Sequence, residues 1–140
     1  MNIFGTGVYI VNIKRISKLL KNNNNAFTKR LFTQREIKSC KKKDKNYACY
    51  AKKFAAKEAF SKAIGTGVGK FFQFKEIEVL KNLSGAPNFK FTSKSLKNIK
   101  KIIKKKKFKI HLSLADDDPW AVASVIILTY EWKNNQKFKK

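Results

Sequence analysis

Negative charge is scarce in this chain. Nine Asp and Glu stand against 33 Lys and Arg, a formal net charge of +24 over 140 residues. A surface so basic attracts polyanions and speeds encounters with them, so nucleic acid, anionic lipid and acidic proteins all qualify as partners. Part of the excess has a blander source. The asparagine run at 22–25 and the lysine runs at 41–43 and 104–107 belong to a composition rich in Lys, Asn, Ile and Phe, as an AT-rich coding sequence gives. Histidine is almost missing, His111 being the single one. Cysteine is limited to Cys40 and Cys49. No histidine or acid cluster surrounds them at zinc spacing, and two thiols in a non-secreted chain are expected to be free. Long apolar runs are also lacking: no stretch approaches the roughly 20 residues that span a bilayer. Residues 1–11 are apolar from the start, with no basic lead of the signal-peptide kind. A cytoplasmic protein with no membrane partner is the expectation. What is present is apolar content of 43%, too high for a disordered tail, in a length that suits one compact domain over 1–140.

Residues 3–10 are apolar and partly β-branched, which predicts a first strand. Ile13, Ile16, Leu19 and Leu20 then recur at helical spacing, and the asparagines at 22–25 break the helix. Thr33 followed by Glu36 has the capping-box pattern and predicts a short helix, with a polar loop at 41–46. Residues 47–64 form the longest helical stretch, and its apolar side chains run nearly all the way round, so it is expected to be buried on most sides. Gly65 and Gly67 close it. Residues 74–80 read as a strand and 82–87 as a turn, with Phe89 and Phe91 on one face of the next strand. Thr92 or Ser93 caps a helix through Ile103. Strands at 109–114 and 121–130 form a hairpin across Ala-Asp-Asp-Asp-Pro, and residues 131–140 are a basic tail. The result is one α+β domain, an antiparallel sheet packed against a long central helix.

Within the long helix, Phe54, Glu58 and Lys62 share one stripe. Glu and Lys at i, i+4 are the commonest surface ion pair. Here the neighbours are Ala51, Ala55, Ala59 and Phe60, and a carboxylate among apolar groups needs a partner, a metal or water. That favours a site. Gly65-Thr66-Gly67 offers backbone donors without bulk, but it follows a helix, so it is neither a Walker loop nor a dinucleotide fingerprint. Gly5-Thr6-Gly7 is equally weak alone. His111 on its strand is either a structural residue or a group that meets phosphate. The acids at 116–118 read as a solvated turn rather than a metal cluster.

Three blocks carry a resemblance. They are Gly5-Thr-Gly-Val-Tyr-Ile-Val-Asn-Ile-Lys-Arg-Ile16, Lys53-Phe-Ala-Ala-Lys-Glu-Ala-Phe-Ser-Lys-Ala-Ile-Gly-Thr-Gly67, and Ile110-His-Leu-Ser-Leu-Ala-Asp116 with Ala121-Val-Ala-Ser-Val-Ile-Ile127. Gly85-Ala-Pro87 and Arg30-Leu-Phe-Thr33 with Glu36 add to them. In this order the chain resembles the short bacterial type of 4'-phosphopantetheinyl transferase, the holo-acyl-carrier-protein synthases. The resemblance implies transfer of the phosphopantetheine arm of coenzyme A to a serine of an acidic acyl carrier protein, with Mg²⁺ as cofactor. It implies Glu58 as metal ligand and catalytic residue, and Lys62 as a second catalytic residue beside the diphosphate that neutralises developing charge and protonates the leaving phosphate. It implies Lys53, Lys57, Ser61, Gly65, Thr66, Gly67, Pro87 and His111 as coenzyme-facing, and Arg15 as a contact to the carrier protein. It implies a homotrimer with active sites at subunit boundaries.

Two positions depart from the pattern. The family aspartate falls on Tyr9, and the glutamate three residues on falls on Asn12. A neutral phenol is a poor Mg²⁺ ligand. Three outcomes are open: a weaker metal site, replacement of the acid by another such as Asp116, or a homologue that binds coenzyme A and carrier protein without turnover. A basic nucleic-acid-binding module is the alternative from another class. Only charge favours it, since no stacking pattern or recognition motif appears.

Overall fold

The computed structural model describes residues 1–21, 26–42, 46–104 and 107–131. The expected break at 22–25 and the tail after Glu131 lie outside them, as do parts of the 41–46 loop and of the lysine run at 104–107. The elements in chain order are β1 (Asn2–Asn12), α1 (Ile13–Lys21), α2 (Ala26–Leu31), α3 (Gln34–Lys41), α4 (Asn46–Ile64), β2 (Ile77–Lys81), β3 (Pro87–Phe91), α5 (Ser93–Ile102), β4 (Lys107–Asp117) and β5 (Trp120–Tyr130). The architecture is α+β. One antiparallel sheet has the order β1-β5-β4, and β2-β3 form a separate hairpin.

Helix α4 is the centre of the molecule, and alanine makes that possible. Ala51, Ala55, Ala56 and Ala59 are fully buried, and as small, strong helix formers they let neighbours approach closely. On β5 the residues alternate as a half-buried strand should: Ala121, Ala123, Val125 and Ile127 are buried, and the residues between them face outward. β1 comes closest of all. A β-carbon added at Gly5 would lie 1.9 Å from the Ala63 carbonyl oxygen, and one at Gly7 would lie 1.9 Å from that of Ala59. Gly5 and Gly7 therefore seat the strand against the helix backbone. That is their use in the structure, rather than the approach to phosphate considered from sequence. The second hairpin joins through aromatic packing. Phe60 on α4 meets Phe72, Phe89 and Phe91 with ring centroids 5.1–5.5 Å apart, the spacing of edge-to-face and tilted pairs.

The structure departs from the sequence reading at several points. The cysteines are not free: Cys40 at the end of α3 and Cys49 in the first turn of α4 form a disulfide, with Cα atoms 5.5 Å apart. The expectation rested on compartment, which says nothing about two helix ends brought together by a short connection. Residues 26–31 form α2, six residues that show too little periodicity to be read from sequence. Residues 74–76 form a 3₁₀ turn, so the strand begins at Ile77. The acids at 116–118 are not all turn either: β4 runs on to Asp117, with Asp116 and Asp117 paired to Ala121 and Trp120, so only Asp118 and Pro119 join it to β5. The two helix caps are as expected. Thr33 caps α3 in a two-way box with Glu36, and Thr92 caps α5 through the Ser95 amide.

The face of the three-stranded sheet away from α4 is apolar and open. Val8 and Ile10 are 60% and 61% exposed, and Trp120, Ile126 and Tyr130 share that face. No helix among the described residues is long and apolar enough to cross a membrane.

The tight seating of β1 yields a prediction. Gly7→Ala must push strand and helix apart, and overpacking of this kind costs about 1–3 kcal/mol or more. The urea midpoint should fall accordingly, whereas Gly85→Ala in the open turn should be penalised only for its left-handed backbone, with φ of 87°.

Candidate active site

Position on α4 decides what each charged side chain meets. Lys57 points inward and is fully buried. Its ammonium donates to the Leu31 carbonyl at 2.7 Å, to Glu36 Oε1 at 2.7 Å and to the Phe74 carbonyl at 2.9 Å. Glu36 is also fully buried, and its other oxygen accepts from the Val79 amide at 3.1 Å. Burial pushes the Lys57 ammonium below its ordinary value, and the Glu36 carboxylate opposes that push. All three donor positions of the ammonium are used. The coenzyme-facing role implied for Lys57 is therefore corrected: the side chain ties the end of α2, the start of α3 and the 3₁₀ turn to α4. Helical periodicity alone could not show this, because α4 is apolar on every side.

One residue later, Glu58 faces the other way. It is half-buried and carries a raised pKa. Loss of solvent is the main cause; Lys62 and Arg15 nearby pull in the opposite direction. Among the described residues no ion pair within 4 Å involves Glu58. The Lys62 ammonium lies instead over the ring of Tyr9, 5.2 Å from its centroid. A cation over an aromatic face is worth about 0.5–1 kcal/mol at exposed sites, against about 0.2–0.5 for an i, i+4 Glu–Lys pair. The ring wins that competition. Tyr9 is held in turn by the edge of Phe54, at 5.9 Å. Arg15 comes from α1, whose first turn is fixed by a hydrogen bond from the Ile13 amide to the Pro119 carbonyl at 2.7 Å.

At the C-terminal end of α4, the Gly65 amide donates to the Ser61 carbonyl at 3.0 Å. Gly65 and Gly67 are left-handed, with φ of 89° and 70°, and both open onto free space. Ser61 is buried, and its hydroxyl donates to the Glu58 carbonyl at 2.7 Å, so it turns back onto its own helix. Thr66 Oγ donates to the Gly67 carbonyl at 3.1 Å.

The remaining predicted residues lie elsewhere. Lys53 is about 180° round α4 from Lys62, nine residues at about 100° each. Its ammonium donates to the Val79 carbonyl at 2.7 Å. Lys53 and Pro87 line a cavity of about 210 Å³, together with Lys52, Lys81 and Asp116. His111 is exposed on β4, opposite Ile126 on the outer sheet face. The predicted residues thus lie apart within one chain: Glu58, Lys62, Gly65, Thr66, Gly67 and Arg15 on the β1 side, Lys53 and Pro87 on the β2 side, and His111 on the outer sheet face. Asp116 does not join Glu58. It pairs with Lys52 at 2.8 Å on the far side of the helix. Lys52 and Lys81 in that cavity were not singled out from sequence, where they sit among many other lysines.

The fold and the residues at the β1–α4 junction define a class. Residues 5–124 match the family described as the 4'-phosphopantetheinyl transferase superfamily, and the chain belongs to it. It is 46% identical over 127 residues to the holo-[acyl-carrier-protein] synthase of Pelagibacter ubique, covering 91% of this chain and 98% of that one. Among solved structures it resembles the holo-[acyl-carrier-protein] synthase of Neisseria meningitidis, with TM-score 0.81 and 32% identity over 91% of this chain and 99% of that one. It also resembles the Helicobacter pylori enzyme in complex with coenzyme A, with TM-score 0.76 and 30% identity over 88% and 99%.

The opposed environments of Lys57 and Glu58 lead to two predictions. Lys57→Met leaves Glu36 charged and unpaired in the core, which should cost about 3–5 kcal/mol in urea unfolding, and adding Glu36→Leu should recover part of it. Glu58 behaves in the opposite sense. Its folded pKa lies above the unfolded one, so its contribution is complete below the ordinary carboxylate value of 4.5 and is lost as pH rises through the folded value. Glu58→Gln, fixed in the neutral form, should therefore unfold at a higher urea midpoint than the parent at neutral pH. The two curves should meet in acid, below about pH 4.

Proposed function

We propose that this chain transfers the 4'-phosphopantetheine group of coenzyme A to a serine of apo-acyl-carrier protein. The products are holo-acyl-carrier protein and adenosine 3',5'-bisphosphate. The observation that carries the reading is the open Glu58 carboxylate beside Lys62, at the head of the Gly65–Gly67 turn. In the reaction the serine hydroxyl loses its proton to water and its oxygen forms a bond to the phosphorus on the pantetheine side. The bond from that phosphorus to the bridging oxygen breaks, and the bisphosphate leaves with the electron pair. In this reading the Lys62 ammonium neutralises that charge and supplies a proton to the leaving oxygen. Gly65, Thr66 and Gly67 let the diphosphate approach the backbone, and Arg15 on the exposed face of α1 meets the acidic carrier protein.

Mg²⁺ is the cofactor of this reading. Among the described residues no group of three or more His, Cys, Asp or Glu could hold a metal on its own. Glu58 fits the lower limit for Mg²⁺, which commonly takes one or two carboxylates and completes its shell with substrate phosphates and water. Burial favours this use, since a lone half-buried carboxylate is relieved by a cation as it is by a proton. Bound there, the ion neutralises diphosphate charge.

The separation of these residues within one chain supports an active site shared between subunits of a homotrimer. Lys53, Pro87 and His111 of one copy would meet Glu58 and Lys62 of the next. The open apolar face with Val8, Ile10, Trp120 and Ile126 is a surface that such assembly covers. We read residues 1–140 as one catalytic domain acting in the cytoplasm.

The test is mass spectrometry of an apo-acyl-carrier protein incubated with the full chain, coenzyme A and Mg²⁺. The phosphopantetheine mass should appear. Glu58→Gln and Lys62→Met should each slow it by about 10²–10³, the usual effect of removing one charge-stabilising group. No transfer at any Mg²⁺ concentration overturns the reading.

A further inference from the structure

Glu58 and Lys62 have the spacing of a helical ion pair, yet the ammonium has gone elsewhere. It rests 5.2 Å from the centre of the Tyr9 ring. That ring is not a loose neighbour. Tyr9 lies on β1 in register with Ala123, and it meets Phe54 edge-on at 5.9 Å with 74° between planes. Phe54 is stacked on Phe74 at 5.7 Å and 16°. Three aromatic rings in contact thus run from the 3₁₀ turn through the core to Lys62. The packing behind Tyr9 fixes where its face is presented, and the face fixes where the cation sits.

We propose that Tyr9 is a positioning residue that holds the Lys62 ammonium off Glu58, leaving the carboxylate open to a divalent cation and the ammonium open to the phosphate of the donor. This rests on the transferase reading for the roles of Glu58 and Lys62; the diversion itself rests on the contacts. The ring face does the holding, not the phenol oxygen. Phenylalanine should therefore substitute for tyrosine, and an aliphatic residue of similar bulk should not. Without the ring, the nearest anion for Lys62 is the carboxylate one turn back on its own stripe. Glu58 would then be paired with Lys62 as well as flanked by Arg15. A cation would have to displace an ammonium before it could bind.

The first readout needs no turnover. In proton NMR of the ligand-free full chain, the ε-methylene protons of Lys62 should be moved upfield by the ring current and show cross-peaks to the Tyr9 ring. Tyr9→Phe should keep both signatures. Tyr9→Leu and Tyr9→Met, two ring-less replacements in case one folds poorly, should lose them. The second readout is the Mg²⁺ concentration for half-maximal transfer. It should be unchanged in Tyr9→Phe and raised about 1.4- to 2.3-fold in Tyr9→Leu, the ratio set by an i, i+4 pair. In a Lys62→Met background Tyr9→Leu should cause no further rise. An unshifted Lys62 methylene in the parent chain overturns the proposal, as does a Tyr9→Leu variant with the Mg²⁺ dependence of Tyr9→Phe. Because the ring contact is read without substrates, failure of the transferase reading is seen separately, as absence of transfer by the parent chain.

Discussion

Everything in the site depends on how closely β1 lies against α4. Backbone meets backbone at Gly5 and Gly7, with Ala63 and Ala59 on the other side. Nothing larger than glycine fits there without pushing the two elements apart. This closeness brings the Tyr9 ring under the last turns of the helix, within reach of Lys62. It also lets α1, which follows β1 directly, place Arg15 near Glu58. The site is a by-product of a packing contact that contains no functional group.

Helix α4 separates structural from chemical charge by rotation alone. Lys57 and Glu58 are adjacent in sequence and differ by about 100° on the helix. Lys57 is sealed among carbonyls and a carboxylate, whereas Glu58 faces cations and solvent. The buried pair is not needed to add net stability, since buried ion pairs commonly gain little over apolar packing. It fixes three connections onto the helix, and so fixes the direction in which Glu58 leaves it.

Much of this could be read from the residues. The all-round apolar character of 47–64 foretold the central helix, and Thr33 with Glu36 foretold the start of α3, because both signals are local. Glu58 stood out for the same reason: its helical neighbours are alanine and phenylalanine. What could not be read was set by partners distant in sequence. Lys57 resembles Lys62 until Leu31, Glu36 and Phe74 converge on it. Cys40 and Cys49 read as unpaired until two helix ends meet. Gly5 and Gly7 carry no clear signal alone until the helix is placed on them. Helix α2 was missed because six residues carry less than two full turns of pattern.

The complete enclosure of Lys57 has a consequence for the chemistry of the chain as a reagent target. Amine-modifying compounds, acyl phosphates included, reach lysines that project into water, and this protein has many. The Lys57 amine is shielded on all sides and hydrogen-bonded three times. It can be acylated only when α4 parts from α2 and α3, so its labelling rate reports that opening, while exposed lysines such as Lys14 and Lys18 report little more than their own accessibility.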